Sequence, residues 1–388
     1  MSPSENDATR LIHAGRVDEP LLRTVGPPIQ KGSTVLVPTA GDLYDDSKAT
    51  YGRAGLATQE ALTDALAELE HATATRLFSS GLAALTGAML AVLKAGDEVL
   101  VTDAAYKPTH RFCNRALKRF GVAVRYHPPR ATPDEIMAMV SPATRLIVLE
   151  SPGSLTFEMP DAPEIARRAR DRGILTLMDN TWAAGLLFKP LDHGIDLSMQ
   201  ALTKYVGGHA DVFMGSVATR DSALTEALDQ AIMDFGWSVS PEDAYQMLRG
   251  LRTLPTRMAR HQESGLAVAR WLRDHPKVAR VLHPALPDSP DHALWARDYT
   301  GAAGLFGVVL KPCRKRDVHA FLNTLEIFGL GFSWGGFESL ALDGDPQFGV
   351  RAFRETFEGP VIRLNIGLED PGDLIADLDH ALAVVGAR

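Results

Sequence analysis

The feature that most constrains the fold of this chain is an alternation, from about residue 57 onward, of short apolar runs with longer segments of helical periodicity. Leucines recur at helical spacing in residues 57–69, and residues 82–93 form a second helical segment. The apolar runs predict strands at residues 75–78, 98–102, 122–126, 145–150, 174–178 and 197–201. Because such strands suit a sheet covered on both faces, we predict an α/β fold with a mostly parallel sheet.

The pattern of apolar and turn residues changes at two points along the chain. Residues 1–55 lack sustained periodicity and carry turn signals such as Gly26-Pro27-Pro28, which predicts an extended N-terminal arm. A larger domain is predicted at residues 56–250 and a smaller α+β domain at residues 251–388. In the smaller domain, strands are predicted at 308–310 and 361–366 and helices at 316–325 and 373–385.

Composition limits the classes of function. The 388 residues carry a net charge of −8, which gives no electrostatic footprint for nucleic acid or an anionic membrane surface. Cys113 and Cys313 lack the paired spacing of a disulfide framework or a zinc site, so we expect a reducing compartment and no bound metal. The N-terminus lacks a signal-peptide pattern, and no apolar segment approaches the roughly 20 residues that cross a bilayer. We therefore expect a soluble cytoplasmic protein.

Asp179 and Lys204 stand at the predicted ends of neighbouring strands. The carboxyl ends of strands in an open α/β sheet face the ligand crevice, so both side chains would point at one site. A lysine that binds an aldehyde cofactor covalently, and a carboxylate that keeps the cofactor's pyridine nitrogen protonated, are the pair that pyridoxal phosphate chemistry requires. These residues alone leave open a plainer interpretation, in which Asp179 caps a helix and Lys204 is a surface amine.

A candidate phosphate site lies where a predicted strand turns into the helical segment at residues 82–93. Free N–H groups at a helix N-terminus bind phosphate, and Gly81 permits close approach of the backbone. The Thr203 hydroxyl, next to Lys204, could add another hydrogen bond. Ser80 and Gly81 would equally serve as an ordinary turn and helix cap.

Eight short blocks, in order over most of the chain, resemble those of the cysteine and methionine metabolism family of pyridoxal-phosphate (PLP) enzymes, and within it the bacterial cystathionine β-lyases. The blocks begin at Tyr51, Ser80, Ala105, Glu150, Asp179, Thr203, Ser333 and Arg363. The resemblance implies the PLP-dependent transferase fold type I, which is the fold of aspartate aminotransferase. It also implies a homotetramer built from dimers that share active sites.

The resemblance implies a role for each position that would bind the cofactor's ring. Lys204 would hold pyridoxal 5′-phosphate covalently and Asp179 would bind its pyridine nitrogen. Tyr106 would stack on the ring, as suits a flat aromatic group. Lys204 and Tyr106 are also the predicted catalytic residues, since either could carry protons at the substrate.

The phosphate would be bound from two subunits. The resemblance implies contacts from the backbone of Gly81 and Leu82 and from the Thr203 hydroxyl. It also implies that Tyr51 and Arg53 reach the phosphate from a neighbouring subunit, which would explain an arm with little core of its own. A solvated loop is the alternative for that pair.

Three further residues would bind the substrate. Arg363 matches the family's arginine for the substrate carboxylate, and its planar fork suits that group. Ser333 and Trp334 match the segment that lines the substrate pocket, and Trp after that Ser is typical of the bacterial β-lyases, whereas γ-synthases and γ-lyases usually have Leu. Arg363 as a surface residue and Trp334 as a core residue remain open on the sequence alone.

The predicted reaction is therefore β-elimination of L-cystathionine to homocysteine, pyruvate and ammonia, a step of transsulfuration and methionine biosynthesis. The alternatives are a β-lyase for other cysteine S-conjugates, a γ-lyase or γ-synthase, or a catalytically silent protein on the same fold. A dinucleotide-dependent oxidoreductase would need a Gly-x-Gly-x-x-Gly turn, which the sequence lacks. Two departures from the family pattern, Ala201 and Ile232, remove a hydroxyl expected near the phosphate and one expected in the distal substrate pocket.

Overall fold

The structure, a computed structural model, describes residues 6–16, 24–45 and 47–386. Its helices are α1 (Asp7–His13), α2 (Ala57–Glu70), α3 (Gly81–Val92), α4 (Lys107–Phe112), α5 (Pro133–Met139), α6 (Ala162–Arg170), α7 (Ser222–Phe235), α8 (Pro241–Arg252), α9 (Leu254–Arg273), α10 (His292–Asp298), α11 (Lys315–Thr324) and α12 (Pro371–Ala383). A π-helical turn, Cys113–Leu117, continues α4. Its strands are β1 (Ala74–Phe78), β2 (Glu98–Thr102), β3 (Ala123–His127), β4 (Thr144–Glu150), β5 (Leu175–Asp179), β6 (Leu197–Gln200), β7 (Gly215–Thr219), β8 (Val278–Leu282), β9 (Leu305–Leu310), β10 (Gly329–Leu330), β11 (Leu340–Asp343) and β12 (Val361–Asn365).

The first sheet has seven strands in the order β1-β7-β6-β5-β4-β2-β3. Strands β3, β2, β4, β5 and β6 are parallel, and β7 runs antiparallel to both its neighbours. Successive side chains of β4 enter opposite cores, Leu146 and Val148 on one face and Ile147 and Leu149 on the other. Helices cover both faces, so the predicted α/β architecture with a mostly parallel sheet is confirmed.

The second sheet has five strands in the order β10-β11-β12-β9-β8, antiparallel except for the β10–β11 pair. Helices α9, α11 and α12 pack beside it. Leu364 of β12 enters a core with Leu378 of α12 and Leu272 of α9. Leu305 and Val309 of β9 join the core of the first domain instead. The smaller α+β domain therefore packs against the larger domain through one face of its sheet.

The helices on either side of Thr253 pack in different places. Helix α8 contacts α2 of the first domain, whereas α9 contacts α12, β8 and β9 of the second. The packing partners of the chain therefore change near Thr253, and the division into domains at residues 250 and 251 stays a prediction.

A segment between β11 and β12 fastens the second domain to the first. Asp103, fully buried just after β2, accepts hydrogen bonds from the backbone N–H groups of Ala352 (3.1 Å) and Phe353 (2.6 Å). Because Asp103 lies three residues before Tyr106 in the loop between β2 and α4, this contact ties the second domain to the loop that carries a predicted catalytic residue.

Arg351 makes the second connection of the same segment. Its side chain is 3% exposed, and its guanidinium donates to the Thr156 hydroxyl at 2.7 Å and to the carbonyl of Ser154. The carboxylate of Glu158, also buried, lies 3.7 Å away. A buried arginine with this many acceptors fixes the position of the segment that contains it.

The N-terminal arm combines a packed start with an exposed remainder. Helix α1 packs against α2 and α8. A single bridge pairs Thr34 with Tyr51, and large apolar side chains between them and before them are exposed: Val25, Ile29, Leu36, Leu43 and Tyr44. Leu36 is 92% exposed, which is unusual for its type. Among the described residues, no helix has the length and apolarity to cross a membrane.

Candidate active site

A cavity of about 860 Å³ lies at the carboxyl ends of β4, β5 and β6, between the two domains. This is where an open α/β sheet presents its ligand crevice. Seven of the side chains in its wall could take part in chemistry: Tyr106, Glu150, Asp179, Lys204, Ser333, Trp334 and Arg363. The first four come from the large domain and the other three from the small one, so the predicted catalytic and substrate-binding residues are brought together.

The amine of Lys204 is held at the centre of this group. Its Nζ lies 2.6 Å from Ser333 Oγ and 5.3 Å from the centroid of the Trp334 ring. Burial, and then the positive charge of Arg363, lower its pKa from 10.5 to about 8, against the opposing charge of Asp179. The lowered pKa increases the neutral fraction of this amine near physiological pH, and the neutral form is the one that acts as a nucleophile or base.

Two carboxyl groups stand side by side at the floor of the cavity. The register of β4 and β5 places Glu150 beside Asp179. Asp179 accepts the backbone N–H of Thr181 at 3.0 Å, and Glu150 accepts the backbone N–H of Tyr106 at 2.7 Å. Burial raises the pKa of Asp179, and burial together with the charge of Asp179 raises the pKa of Glu150. The negative charge of Asp179 therefore favours the protonated form of Glu150.

Glu150 has a position that sequence reasoning did not give a role. It appears there only as the first residue of a block that resembles the family. The signal that could have found it is its place at the end of a predicted strand beside the strand of Asp179.

The start of α3 leaves two backbone donors for a ligand. The Ser80 hydroxyl accepts the N–H of Ala83 at 3.1 Å, and its carbonyl accepts the N–H of Ala84 at 3.0 Å. Gly81 and Leu82 both line the cavity, and their N–H groups come before the first bonded N–H groups of the helix, those of Ala83 and Ala84. A Cβ on Gly81 would lie 2.3 Å from the Cβ of Ala201, so the glycine is required for this close approach. The arrangement fits a bound phosphate.

Thr203 was expected to contact the phosphate, but its side chain does not line the cavity. Its hydroxyl donates to the carbonyl of Met214 at 3.2 Å and accepts the N–H of the same residue at 3.0 Å. Because its proton is used within the protein, the Thr203 hydroxyl would have to rotate to reach a phosphate.

Arg363 projects from β12 into the cavity wall and is 8% exposed. It donates to the Ser333 carbonyl at 2.6 Å, while its Nε has no hydrogen-bond partner among the described residues. Burial lowers its pKa to about 10, which still leaves it cationic at neutral pH. A buried cation with an unused donor is suited to bind a carboxylate.

The aromatic side chains occupy different parts of the cavity wall. Trp334 is partly buried and packs edge-on against Tyr205, with 5.4 Å between ring centroids. Tyr106 precedes the first turn of α4 and is 46% exposed. Burial raises the pKa of the Tyr106 phenol, and the charge of Arg363 opposes that shift. The phenol therefore keeps its proton at neutral pH and could donate it.

Tyr51 and Arg53 do not reach the cavity of their own chain. Both are outside its wall, Tyr51 is half exposed, and the Arg53 guanidinium lies 5.9 Å from the Tyr51 ring centroid.

Ile232, a residue of α7, packs against the core of the large domain and does not line the cavity. It therefore does not occupy the place of the expected aromatic hydroxyl.

A fold type I sheet, a half-buried lysine near a strand-end carboxylate, and free donors at a helix start together define the class of PLP-dependent enzymes. The family model described as "Cys/Met metabolism PLP-dependent enzyme" matches residues 8–383. The chain therefore belongs to this family, and pyridoxal 5′-phosphate is its cofactor.

Similar proteins carry more than one activity name. A protein of Bordetella avium named cystathionine beta-lyase is 43% identical over 368 residues, which cover 92% of this chain and 91% of that one. A protein of Wolbachia pipientis wMel named L-alanine/L-glutamate racemase is 38% identical over 390 residues and 96% of each chain. Among solved structures, metB from Corynebacterium glutamicum has a TM-score of 0.93 at 30% identity, with 99% of both chains covered.

Proposed function

We propose that this protein is a carbon–sulfur β-lyase that cleaves L-cystathionine to homocysteine, pyruvate and ammonia. The observation that carries the proposal is the Lys204 amine, held with a lowered pKa between Ser333, Trp334 and the partly unsatisfied cation of Arg363. The similarity to a protein named cystathionine beta-lyase supports the same conclusion.

The residues present would hold the cofactor as follows. The N–H groups of Gly81 and Leu82 would bind its phosphate, and Asp179 would bind its pyridine nitrogen. Tyr106 would stack on the ring and Lys204 would attach to the aldehyde. When bound, pyridoxal phosphate draws electrons from the substrate's Cα.

The protein groups then bind the substrate and move its protons. Arg363 binds the α-carboxylate through its free Nε and fixes the reacting carbon. The Lys204 amine, in the neutral form that its lowered pKa makes more accessible, takes the proton from Cα. Lys204 or the protonated phenol of Tyr106 gives a proton to the departing sulfur. Ser333 positions the amine between these steps.

We also propose that the working molecule is a cytoplasmic homotetramer built from dimers that share active sites and acts in methionine biosynthesis. Support for an interface comes from the later part of the arm, where large apolar side chains such as Val25, Leu36 and Tyr44 are exposed in their own chain. In such a dimer, Tyr51 and Arg53 would bind the phosphate held by the neighbouring subunit.

The first experiment identifies the product. Purified protein loaded with PLP is incubated with L-cystathionine, and the keto acid is identified by mass, with Lys204→Ala as the inactive control. Pyruvate supports β-elimination. α-Ketobutyrate would overturn it in favour of γ-elimination, and a racemised amino acid without keto acid would show that Lys204 only removes and returns the Cα proton.

A further inference from the structure

One wall of the catalytic cavity carries a row of basic side chains. Lys107, Arg111 and Arg115 follow one another at four-residue spacing along α4 and the π-helical turn that continues it. All three line the cavity, and all three are exposed, which places them at its mouth. The charge of Arg111 is close enough to Tyr106 to oppose the rise in its phenol pKa.

These basic groups are not neutralised within the described part of the chain. Lys107 makes one long contact, from Nζ to the carbonyl of Pro346 at 3.4 Å, and none of the three forms an ion pair with a described residue. Arg167 and Arg168, in contrast, share the carboxylate of Glu164. The chain has a net charge of −8, so this unpaired basic row gives the cavity mouth a charge opposite in sign to that of the protein as a whole.

The acidic side chains of the same cavity leave the mouth positive. Glu150 and Asp179 lie at its floor near Lys204. Asp343 pairs with Lys315 outside. An anion that enters the cavity therefore meets both the buried cation of Arg363 and the exposed basic row in its wall.

We propose that Lys107, Arg111 and Arg115 form a subsite for a carboxylate at the leaving-group end of the substrate. This inference rests on the proposed function, in which Arg363 binds the α-carboxylate and the carbon–sulfur bond is broken near Lys204. The part of the substrate beyond sulfur then extends toward the mouth, where a guanidinium fork can bind a carboxylate through two hydrogen bonds. The enzyme therefore prefers thioether amino acids whose departing thiol carries a carboxylate, as homocysteine does.

The test compares three substrates of matched length. S-(2-carboxyethyl)-, S-(2-carbamoylethyl)- and S-(3-aminopropyl)-L-cysteine each release pyruvate and ammonia with a thiol whose distal group is anionic, neutral or cationic. A hydrogen-bonded charge contributes enough to favour the carboxylate over its amide isostere by about 10- to 100-fold in kcat/KM, mostly through KM. The amine is the poorest of the three.

The variants locate the preference. Arg111→Gln combined with Arg115→Gln reduces the carboxylate-to-amide ratio to within about threefold of unity, because an amide side chain cannot offer the charge. Arg119→Gln is the matched control, since Arg119 lies one turn further along and lines a neighbouring recess of about 700 Å³ but not the catalytic cavity. Light scattering and cofactor absorbance confirm that each variant is assembled and loaded.

Each contrary result has a definite meaning. Pyruvate released at equal efficiency from the carboxylate and the amide overturns the subsite and leaves the lyase function intact. An unchanged preference in the double variant also overturns it. If the double variant loses both its preference and its assembly state, the row is a contact between subunits and not a subsite. No pyruvate from any compound, L-cystathionine included, overturns the lyase function and the subsite with it.

Discussion

The Nζ of Lys204 lies 2.6 Å from the Oγ of Ser333, so a residue of the small domain holds the amine of a residue of the large one. The same serine accepts a hydrogen bond from Arg363 at its carbonyl and has a left-handed backbone, with φ at 75°. Such a conformation is costly for a residue with a side chain and persists where the surroundings enforce it. Ser333 thus sets the spacing between the amine and the guanidinium.

Replacing Lys204 with Met should abolish turnover and stabilise the protein without cofactor at pH 7. Burial lowers the pKa of the amine from 10.5 to about 8, so the folded protein carries this charge at a cost below pH 8. The cost is relieved as the pH rises from about 8 to 10.5, because the folded state then has already lost the proton. We expect a gain of about 1–3 kcal/mol in the free energy of unfolding at pH 7.

Thermal unfolding of the cofactor-free proteins at pH 7 and pH 10 measures this difference. Lys311→Met is the control, since Lys311 is exposed and a surface substitution changes stability by less than about 0.5 kcal/mol. A Lys204→Met variant less stable than the parent at pH 7 would contradict the assigned burial cost.

Most of the fold follows from local patterns. The six strands predicted in the large domain are present with ends shifted by one residue at most, because each is a compact apolar run. Strand β7 has no such signal, since Gly215–Thr219 consists of small residues and one valine. It is held in the sheet by its pairing with β1 on one side and β6 on the other. Strand β11, Leu340–Asp343, is equally short and is recognisable only from its pairing with β12.

The candidate site divides in the same way. Asp179 and Lys204 were predictable because strand ends in a parallel sheet meet at one edge. The bond from Lys204 to Ser333 joins residues 129 positions apart, and the one from Ala352 to Asp103 joins residues 249 apart. Such contacts depend on how the two domains dock, which no local pattern records. The direction of the Thr203 hydroxyl, toward the Met214 carbonyl and away from the cavity, depends on a single side-chain rotation that the sequence does not predict.

Glu150→Gln should stabilise the cofactor-free protein increasingly as the pH rises. Burial and the charge of Asp179 raise the pKa of Glu150 above its ordinary value of 4.5, so the folded state retains a proton that the unfolded state has lost. Stability therefore falls as pH rises through this range, and the uncharged amide avoids the loss. Gln can still accept the N–H of Tyr106. Urea unfolding at pH 5 and pH 8 tests this, and a difference that does not grow with pH would contradict it.

Arg363→Ala should weaken substrate binding more than it slows the chemical step. The guanidinium is buried with a free Nε, and its loss removes the partner of the substrate's α-carboxylate. We expect kcat/KM to fall by about 100-fold or more, largely through KM, on the scale of a lost charge-assisted hydrogen bond pair. Steady-state kinetics with pyruvate detection measures it, and unchanged KM and kcat would remove the assigned role.

Arg351→Met should loosen the attachment of residues 345–353 to the large domain. The substitution leaves Glu158 buried without its cation and removes the donors to Thr156 and Ser154. We expect a loss of about 2–4 kcal/mol in the free energy of unfolding and faster hydrogen exchange at the amides of this segment. Arg354→Met is the control, since Arg354 is exposed on the same segment. Equal exchange in both variants would show that Arg351 does not hold the segment.

Arg53→Ala should lower the affinity for PLP, and it should do so in the neighbouring subunit's site. Arg53 lies outside the cavity of its own chain, beside the half-exposed ring of Tyr51 and the backbone of Met233. Loss of a charged hydrogen bond to phosphate corresponds to about a tenfold or larger rise in the PLP concentration needed for half activity. The variant alone shows whether Arg53 matters, but not which subunit's cofactor it serves.

A hybrid of Arg53→Ala and Lys204→Ala chains, co-expressed with different tags, decides between the two arrangements. In the hybrid, Lys204 is intact only in the chain that lacks Arg53. If the arm crosses the interface, that site receives Arg53 from the Lys204→Ala chain, and the hybrid needs no more PLP than the parent enzyme. If the arm serves its own chain, the hybrid requires the raised PLP concentration of the Arg53→Ala variant. Because each hybrid dimer has one working lysine, its maximal activity is about half that of the parent in either case, so the dependence on PLP alone distinguishes them.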